Sequence, residues 1–318
     1  MLIKNLLKEK NPHSIFYFNS EELSDYKELS DIIETYMEFK ERSGIKNSYI
    51  FLDEITSPIE WYKAIKSKID KGMFKKDVLI LTGSSSINIK RQTELFPGRR
   101  GKGLDYIILP LSFREFLKIT RPKIYEKIKS IKELSRKELK DKAMQAMIFI
   151  KELNCVLEEY FKCGGFPLSM EAKEEAKKIY LSWIKTEILK SERSDNIARQ
   201  IIKSILDKPQ TPVSWEGISK EIEIKSPKTV AAYVELLRSM FSVIVLYHAN
   251  ISSGMIKFGK NKKIHFLDPL LLKIFEDWCM VRLKDGGSIL AESVTAMHLA
   301  RYSVKKYKAV ALDENLFY

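Results

Sequence analysis

YIFLDEIT, Tyr49–Thr56, sets four apolar residues directly before two adjacent acids. The run lacks in-out alternation, which is the pattern of a strand buried on both faces of a sheet. Ile15–Phe18, Val78–Leu81 and Tyr106–Leu109 read the same way. Between them Glu28–Ser43, Pro58–Lys71 and Ile87–Leu95 carry helical spacing, with Leu29, Ile32, Ile33 and Met37 on one apolar face. Strand–helix–strand alternation predicts an α/β fold, a mostly parallel sheet covered by helices. Asp53 and Glu54 then stand at the C-terminal end of a strand, where open parallel sheets bind their ligands.

Adjacent acids at that place suit nucleotide hydrolysis. Asp53 would hold Mg²⁺ through its hydration shell, and Glu54 would orient or deprotonate the attacking water. The next strand ends in a hydroxyl-rich turn, so Thr82, Ser84, Ser85 and Ser86 are candidates to sense a terminal phosphate or the attacking water. The hydroxyls of Ser84 and Ser86 also suit a helix N-cap. In PGRRGKG, Pro97–Gly103, Arg99 or Arg100 lies in a glycine-flanked loop and would neutralise charge on a transferred phosphoryl group. A solvated basic loop is the alternative reading.

Past Phe113 the strand pattern stops. From about residue 123 to 190 the chain reads as helical and charged, broken once at CGGFP, Cys163–Pro167. Asp195–Phe266 reads as helices Ile197–Asp207, Trp215–Lys220 and Ser226–Met240, then strands Val243–His248 and Lys262–Phe266. Ser226 is the predicted N-cap of the third helix, Pro227 its first turn, and Val230, Tyr233, Leu236 and Leu237 its buried face. Ser214–Ile222 followed by Ser226–Met240 fits a helix-turn-helix, with Lys225, Lys228, Thr229 and Ala232 at the exposed N-terminal end of its second helix. Lys257, Lys260, Lys262 and Lys263 fall on the hairpin of the two strands and are candidates to neutralise nucleic-acid phosphates.

The ordered series YFNSEEL, YIFLDEI, WYKAIK, LILTGSSS, PGRR, LPLSFREF and CGGFP resembles the archaeal and bacterial AAA-type ATPases in which an ATPase core precedes a winged helix and a C-terminal domain of unknown function. The resemblance implies an incomplete P-loop NTPase core at 1–118, a helical lid at 119–194, a winged helix at 195–266 and a partial restriction-endonuclease-like α/β domain at 267–318. It implies ATP and Mg²⁺ as cofactors. It makes YIFLDEI the Walker B strand, Asp53 the magnesium-associated acid, Glu54 the water-activating acid, Ser84 a sensor and Arg99 a candidate arginine finger. DNA and a protein partner or second copy are the partners it suggests.

One part of that family's machinery is missing from the sequence. No G-x-x-x-x-G-K-[ST] occurs, and the first glycine is Gly44. Gly101-Lys102 has Phe96 at the first loop glycine and Gly103 at the Ser/Thr place, and it follows the acid pair. MLIKNLLKEKN resembles the second half of the helix after such a loop, so the expectation is a chain that starts just downstream of it. Without the loop most ATP affinity is lost, hydrolysis is impaired, and the alternative function is a non-enzymatic DNA- or protein-binding remnant acting through the winged helix. The strand that leads into the loop lies mid-sheet in this fold, so the sheet edges left by its absence must close up or be covered. ILAESVTAMHLARY, Ile289–Tyr302, resembles the opening helix of the nuclease-like domain, but Glu292 alone cannot hold a metal and reads as a surface residue.

Composition bounds the remaining classes. Hydrophobic residues at 45% and charged residues at 31% place the chain among folded soluble proteins rather than disordered ones. The 55 Lys and Arg against 42 Asp and Glu give a net charge of +13, which makes a polyanionic partner worth testing, with a Lys-rich solvated surface as the alternative reading. Cys155, Cys163 and Cys279 have no disulfide or zinc spacing, so reduced thiols in a cytoplasmic protein are expected. No apolar run approaches the ~18 residues of a membrane span, and the N-terminal segment lacks a signal-peptide pattern.

Overall fold

Three of the apolar runs form the strands of one parallel sheet: β1 (Ile15–Asn19), β2 (Tyr49–Asp53) and β3 (Val78–Leu81), in the order β1-β2-β3. The computed structural model describes residues 2–83, 108–128, 135–250, 255–306 and 316–317. It divides into two compact units, Met1–Leu104 and Asp105–Tyr318. Of the fourth expected strand, Tyr106–Leu109, the first two residues lie outside the described residues, as does all of the expected helix Ile87–Leu95; Ile108 and Leu109 are in no strand, and Ile108 is exposed.

In the first unit, α1 (Leu2–Glu9) precedes β1, α2 (Tyr26–Arg42) links β1 to β2, and α3 (Trp61–Asp70) links β2 to β3. Asp25 starts α2 by accepting from the N–H groups of Lys27 and Glu28. Two successive crossovers in the same direction and of the same hand put both linking helices on one face of the sheet. That face carries Phe16, Phe18, Ile50, Leu52, Leu79 and Leu81, packed with Leu29, Ile33 and Tyr36 of α2 and Trp61, Ala64 and Ile65 of α3. The expectation of strands buried on both faces therefore holds only for β2. Its Ile50, Phe51 and Leu52 are buried, whereas Tyr17 of β1 and Val78 of β3 are about half exposed.

Beneath the sheet's N-terminal edge lies a buried ion pair. Both carboxylate oxygens of Asp77 accept from the Lys40 ammonium, at 2.6 and 2.7 Å, and one also accepts from the N–H and hydroxyl of Ser48. Asp77 is fully enclosed and Lys40 nearly so. The pair ties the end of α2 to the starts of β2 and β3.

The second unit is mostly helical. It holds α4 (Phe113–Thr120), α5 (Pro122–Lys127), α6 (Arg136–Met147), α7 (Ile150–Cys163), α8 (Pro167–Glu171), α9 (Lys173–Lys190), α10 (Asp195–Leu206), α11 (Trp215–Glu221) and α12 (Pro227–Ser239). After these come the antiparallel pair β4 (Val243–Tyr247) and β5 (Lys263–Phe266), then α13 (Pro269–Cys279), α14 (Gly286–Lys306) and β6 (Leu316–Phe317), which pairs parallel to β4. The stretch expected to break once, at CGGFP, breaks more often. Within it Ile148–Phe149 and Ala172 mark further breaks, and just before it Pro122 forces Arg121 out of helical geometry. One core runs from Phe116 and Tyr160 through Ile184, Ile201, Val230, Val243 and Phe275 to Met297.

The CGGFP break is where three parts of this unit meet. Asp268, at the N-cap of α13, is buried and accepts from the N–H of Leu270 and the N–H of Gly165, each at 2.8 Å. Gly164 has φ +70°, and a Cβ there would lie 1.9 Å from Asp268 Oδ1. A Cβ on Gly165 would lie 2.0 Å from the Leu111 carbonyl oxygen, which accepts from the Tyr160 hydroxyl at 2.9 Å. Burial pushes the Asp268 carboxyl up to about 7, against the pull of its two N–H donors and of Arg301.

Two outcomes follow. Asp77→Ala leaves an uncompensated buried ammonium, so urea denaturation should show a loss of about 3–5 kcal/mol, and Lys40→Met with Asp77→Leu should recover part of it. A loss below about 1 kcal/mol would contradict the buried pair. At Asp268 the folded chain keeps a proton that the unfolded chain has released. Its contribution to stability falls as pH rises from the ordinary carboxyl range to about 7 and is level above. His265 and His298, whose imidazoles burial pushes down, act in the opposite sense, losing stability as pH falls. The comparison is therefore between proteins: wild type should lose more stability than Asp268→Asn between pH 5 and 8. Equal losses would refute the assignment.

Candidate acid site and basic hairpin

Register alone brings the acid site together. Paired residues of parallel strands share a face, so Tyr17 and Asn19 of β1, Phe51 and Asp53 of β2, and Thr82 just past β3 all lie on the face opposite α2 and α3. The Tyr17 hydroxyl donates to Asp53 Oδ2 at 3.0 Å, and the Thr82 hydroxyl donates to Asp53 Oδ1. The Glu54 N–H donates to the same Oδ1 at 3.2 Å. Asp53 is half-buried and Thr82 exposed.

The backbone around the acids is equally tied. Ser20 N–H donates to the Asp53 carbonyl, Thr82 N–H to the Leu52 carbonyl, and Ile55 N–H to the Thr82 carbonyl. The chain turns sharply at Glu54, which has φ +49°, a left-handed conformation that costs a non-glycine residue about 1–2 kcal/mol. The turn ends β2 at Asp53, so Glu54 follows the strand rather than continuing it. Ser20 Oγ and Trp61 Nε1 are buried without a hydrogen-bond partner among the described residues.

Of the residues expected at this site, Asp53, Glu54 and Thr82 are gathered here. Ser84, Ser85, Ser86 and Arg99 lie outside the described residues. Tyr17 was not anticipated, although the period-two rule applied to Tyr17 and Asn19 would have set both on the face of Asp53. The Asp53 carboxylate holds the Tyr17 phenol above its ordinary value, through the hydrogen bond first and the negative charge second. A lone carboxylate suits Mg²⁺, which keeps most of its waters and takes one or two protein carboxylates beside phosphate oxygens. Among the described residues no group of three or more His, Cys, Asp or Glu could hold a metal by itself. No G-x-x-x-x-G-K-[ST] occurs in the sequence. A near match to the phosphate loop, Gly254–Asn261, has Asn261 in the Ser/Thr place, and its Met255–Asn261 form part of the β4–β5 hairpin with no helix after them.

The expected basic residues separate into two groups. Lys225 and Lys228 are exposed at the start of α12, and Lys257 and Lys260 are exposed on the hairpin. Lys262 is buried, with its ammonium 5.0 Å from the Trp215 ring centroid. Lys263 donates to Glu292 at 2.9 Å, with His265 Nε2 3.8 Å from the same carboxylate. Glu292 is thus a half-buried ion-pair partner rather than the surface residue expected. On α12 the buried face is Val230, Tyr233, Val234 and Leu237, with Leu236 half-buried. Ser226 occupies the N-cap position but its side chain makes no capping bond. Thr229 and Ala232 are half-buried, and the Ala232 carbonyl accepts from Arg193 at 3.0 Å.

Residues 1–117 match a family model described as an AAA domain. Two uncharacterized proteins of Methanocaldococcus jannaschii are similar over nearly the whole chain. One is 23% identical over 303 residues, covering 92% of this chain and 59% of that protein. The other is 25% identical over 317 residues, covering 93% of this chain and 63% of that protein. The chain therefore spans about three fifths of the length of these curated relatives. No helix among the described residues is long and apolar enough to cross a membrane.

The Tyr17–Asp53 bond has a spectroscopic consequence. The phenol titration of Tyr17, isolated by comparing ring ¹³C signals of wild type and Tyr17→Phe, should lie above the ordinary tyrosine value, and Asp53→Asn should bring it down. A titration indifferent to Asp53→Asn would break the assignment.

Proposed function

We propose that this chain is an AAA-type ATPase-family protein in which Asp53, Glu54 and Thr82 make the acid side of a MgATP site. The observation that carries the reading is the convergence of Asp53 and Thr82 at the C-terminal ends of adjacent parallel strands, with Glu54 held in a strained turn between them. In this reading Asp53 holds hydrated Mg²⁺, Glu54 orients water and Thr82 senses the nucleotide. Ser84 is a further sensor and Arg99 an arginine finger by resemblance. Bound MgATP supplies the phosphoryl group; the chain supplies the groups that neutralise and orient it.

The domain reading follows the same resemblance: an ATPase core at 1–118, a helical lid at 119–194, a winged helix at 195–266 and a partial nuclease-like domain at 267–318. Support for the winged helix comes from α10, α11 and α12 followed by the β4–β5 pair, with an added antiparallel bridge between Val213 and Lys262.

Because the sequence contains no G-x-x-x-x-G-K-[ST], backbone N–H groups and a lysine to grip the phosphates are lacking, and this chain's own ATP affinity and turnover are low. Calorimetric titration with MgATP should give binding no tighter than about millimolar, a free energy of about −4 kcal/mol, with no turnover. Extending the chain upstream by a strand and a G-x-x-x-x-G-K-[ST] loop should produce turnover that Glu54→Gln abolishes. Tight binding with Glu54-dependent turnover in the unextended chain would overturn the impairment. An extended chain that binds MgATP yet hydrolyses it equally well with Glu54→Gln would overturn the acid-site reading.

A further inference from the structure

The β4–β5 hairpin carries a feature that the acid site does not use. Between Tyr247 and Phe266 the sequence has four lysines and no acid. Two of the lysines are spoken for internally, Lys262 over Trp215 and Lys263 on Glu292. The outward charge of the hairpin thus rests on Lys257 and Lys260. These two sit at the ends of a single turn, closed by the Lys260 N–H donating to the Lys257 carbonyl at 3.1 Å.

At the apex of that turn stands Phe258, 55% exposed, followed by Gly259, around whose Cβ position nothing lies within 4 Å. The Phe258 ring is fixed from one side by Tyr247, edge-on at 5.3 Å. The hairpin stem is held by Lys257 N–H to the His248 carbonyl and Asn250 N–H to the Met255 carbonyl, both 2.9 Å. An exposed aromatic ring on a turn bounded by two exposed lysines is complementary to a base with a phosphate on each side.

We infer that the turn Lys257–Lys260 is a stacking site for single-stranded nucleic acid, with Phe258 against one base and Lys257 and Lys260 on the flanking phosphates. A duplex fits less well. Its base faces are already stacked, and opening a step for one ring has to be repaid by a larger contact than two exposed lysines give. Base-edge readout from the major groove is not provided for either, since the one arginine of α12, Arg238, lies in its last turn and pairs with Glu235. The apolar area at the tip, Phe258 and Met255, is small for insertion into a lipid surface. This inference does not depend on the MgATP reading, and Glu54→Gln should leave it untouched.

The test is fluorescence anisotropy of the full chain with labelled oligo(dT) of about 12 nucleotides over a salt series. Binding should be tighter to the single strand than to a duplex of the same length. Phe258→Ala should weaken it about tenfold at every salt concentration, and Phe258→Trp should restore it, with the thermal melting point of both variants unchanged. Lys257→Ala with Lys260→Ala should instead reduce the slope of log K against log salt by about 1.4, at ~0.7 per phosphate on a single strand. Lys225→Ala with Lys228→Ala should have little effect. The inference fails if oligo(dT) does not bind, if the duplex binds as well, if Phe258→Ala changes nothing, or if loss tracks Lys225 and Lys228. It fails equally if the Phe258-dependent binding is to phosphatidylserine vesicles and not to oligo(dT).

Discussion

The first unit depends on β2 being hydrogen-bonded in register to a parallel neighbour on each side. Parallel pairing aligns residue faces across all three strands, and the same-handed crossovers commit α2 and α3 to one of those faces. Ile50 and Leu52 are consequently sealed from water, each contributing about 1.5–3 kcal/mol as an upper bound. The polar ends of the strands emerge on the other face. Asp53 meets Tyr17 and Thr82 for this reason and no other: a slip of one residue in either pairing would turn Asp53 into the helix-covered core. Site and core are thus two faces of one constraint.

In the second unit a single buried carboxylate plays the equivalent part. Asp268 caps α13 with one oxygen and holds the Gly165 N–H with the other, while the Leu111 carbonyl closes on Gly165 and on Tyr160. The two glycines are required for different reasons. Gly164 is needed because Asp268 occupies the space of its side chain and its φ is positive, and Gly165 because the Leu111 backbone does. A carboxylate so enclosed is costly to ionise, and its N–H donors offset only part of that cost. Arg301 adds charge without touching it; the guanidinium bonds instead to Glu115, which closes the capping box of α4 with Ser112.

Much of this was legible in the sequence because apolar runs and turn residues are local signals. β1, β2, β3, α10, α11, α12, β4 and β5 lie within a few residues of the expected bounds. What was not legible depends on long-range placement. Tyr17 needed the register, and its sequence neighbours give no hint of an acid 36 residues away. The wing lysines looked alike in sequence, yet strand alternation sends Lys262 inward to Trp215 and pairs Lys263 with a helix far along the chain. Sheet coverage is not legible either, because a run of apolar residues does not say whether one face or two will be clothed. CGGFP announced a break but not its cause, since the partner, Asp268, is 103 residues downstream of Gly165.

On the proposed reading, the acid side and the phosphate side of a nucleotide site have different physical origins. Placing Asp53 beside Thr82 takes only strand pairing, which the hydrophobic face of β2 secures whether or not any nucleotide is bound. Gripping phosphates takes consecutive backbone N–H groups in a glycine-rich loop, which contribute little to the core and have no counterpart in this sequence. Stability therefore preserves the acids' geometry and is indifferent to the loop. The Tyr17 and Thr82 hydroxyls and the Glu54 N–H all donate to the Asp53 carboxylate, so its oxygens are hydrogen-bonded within this face.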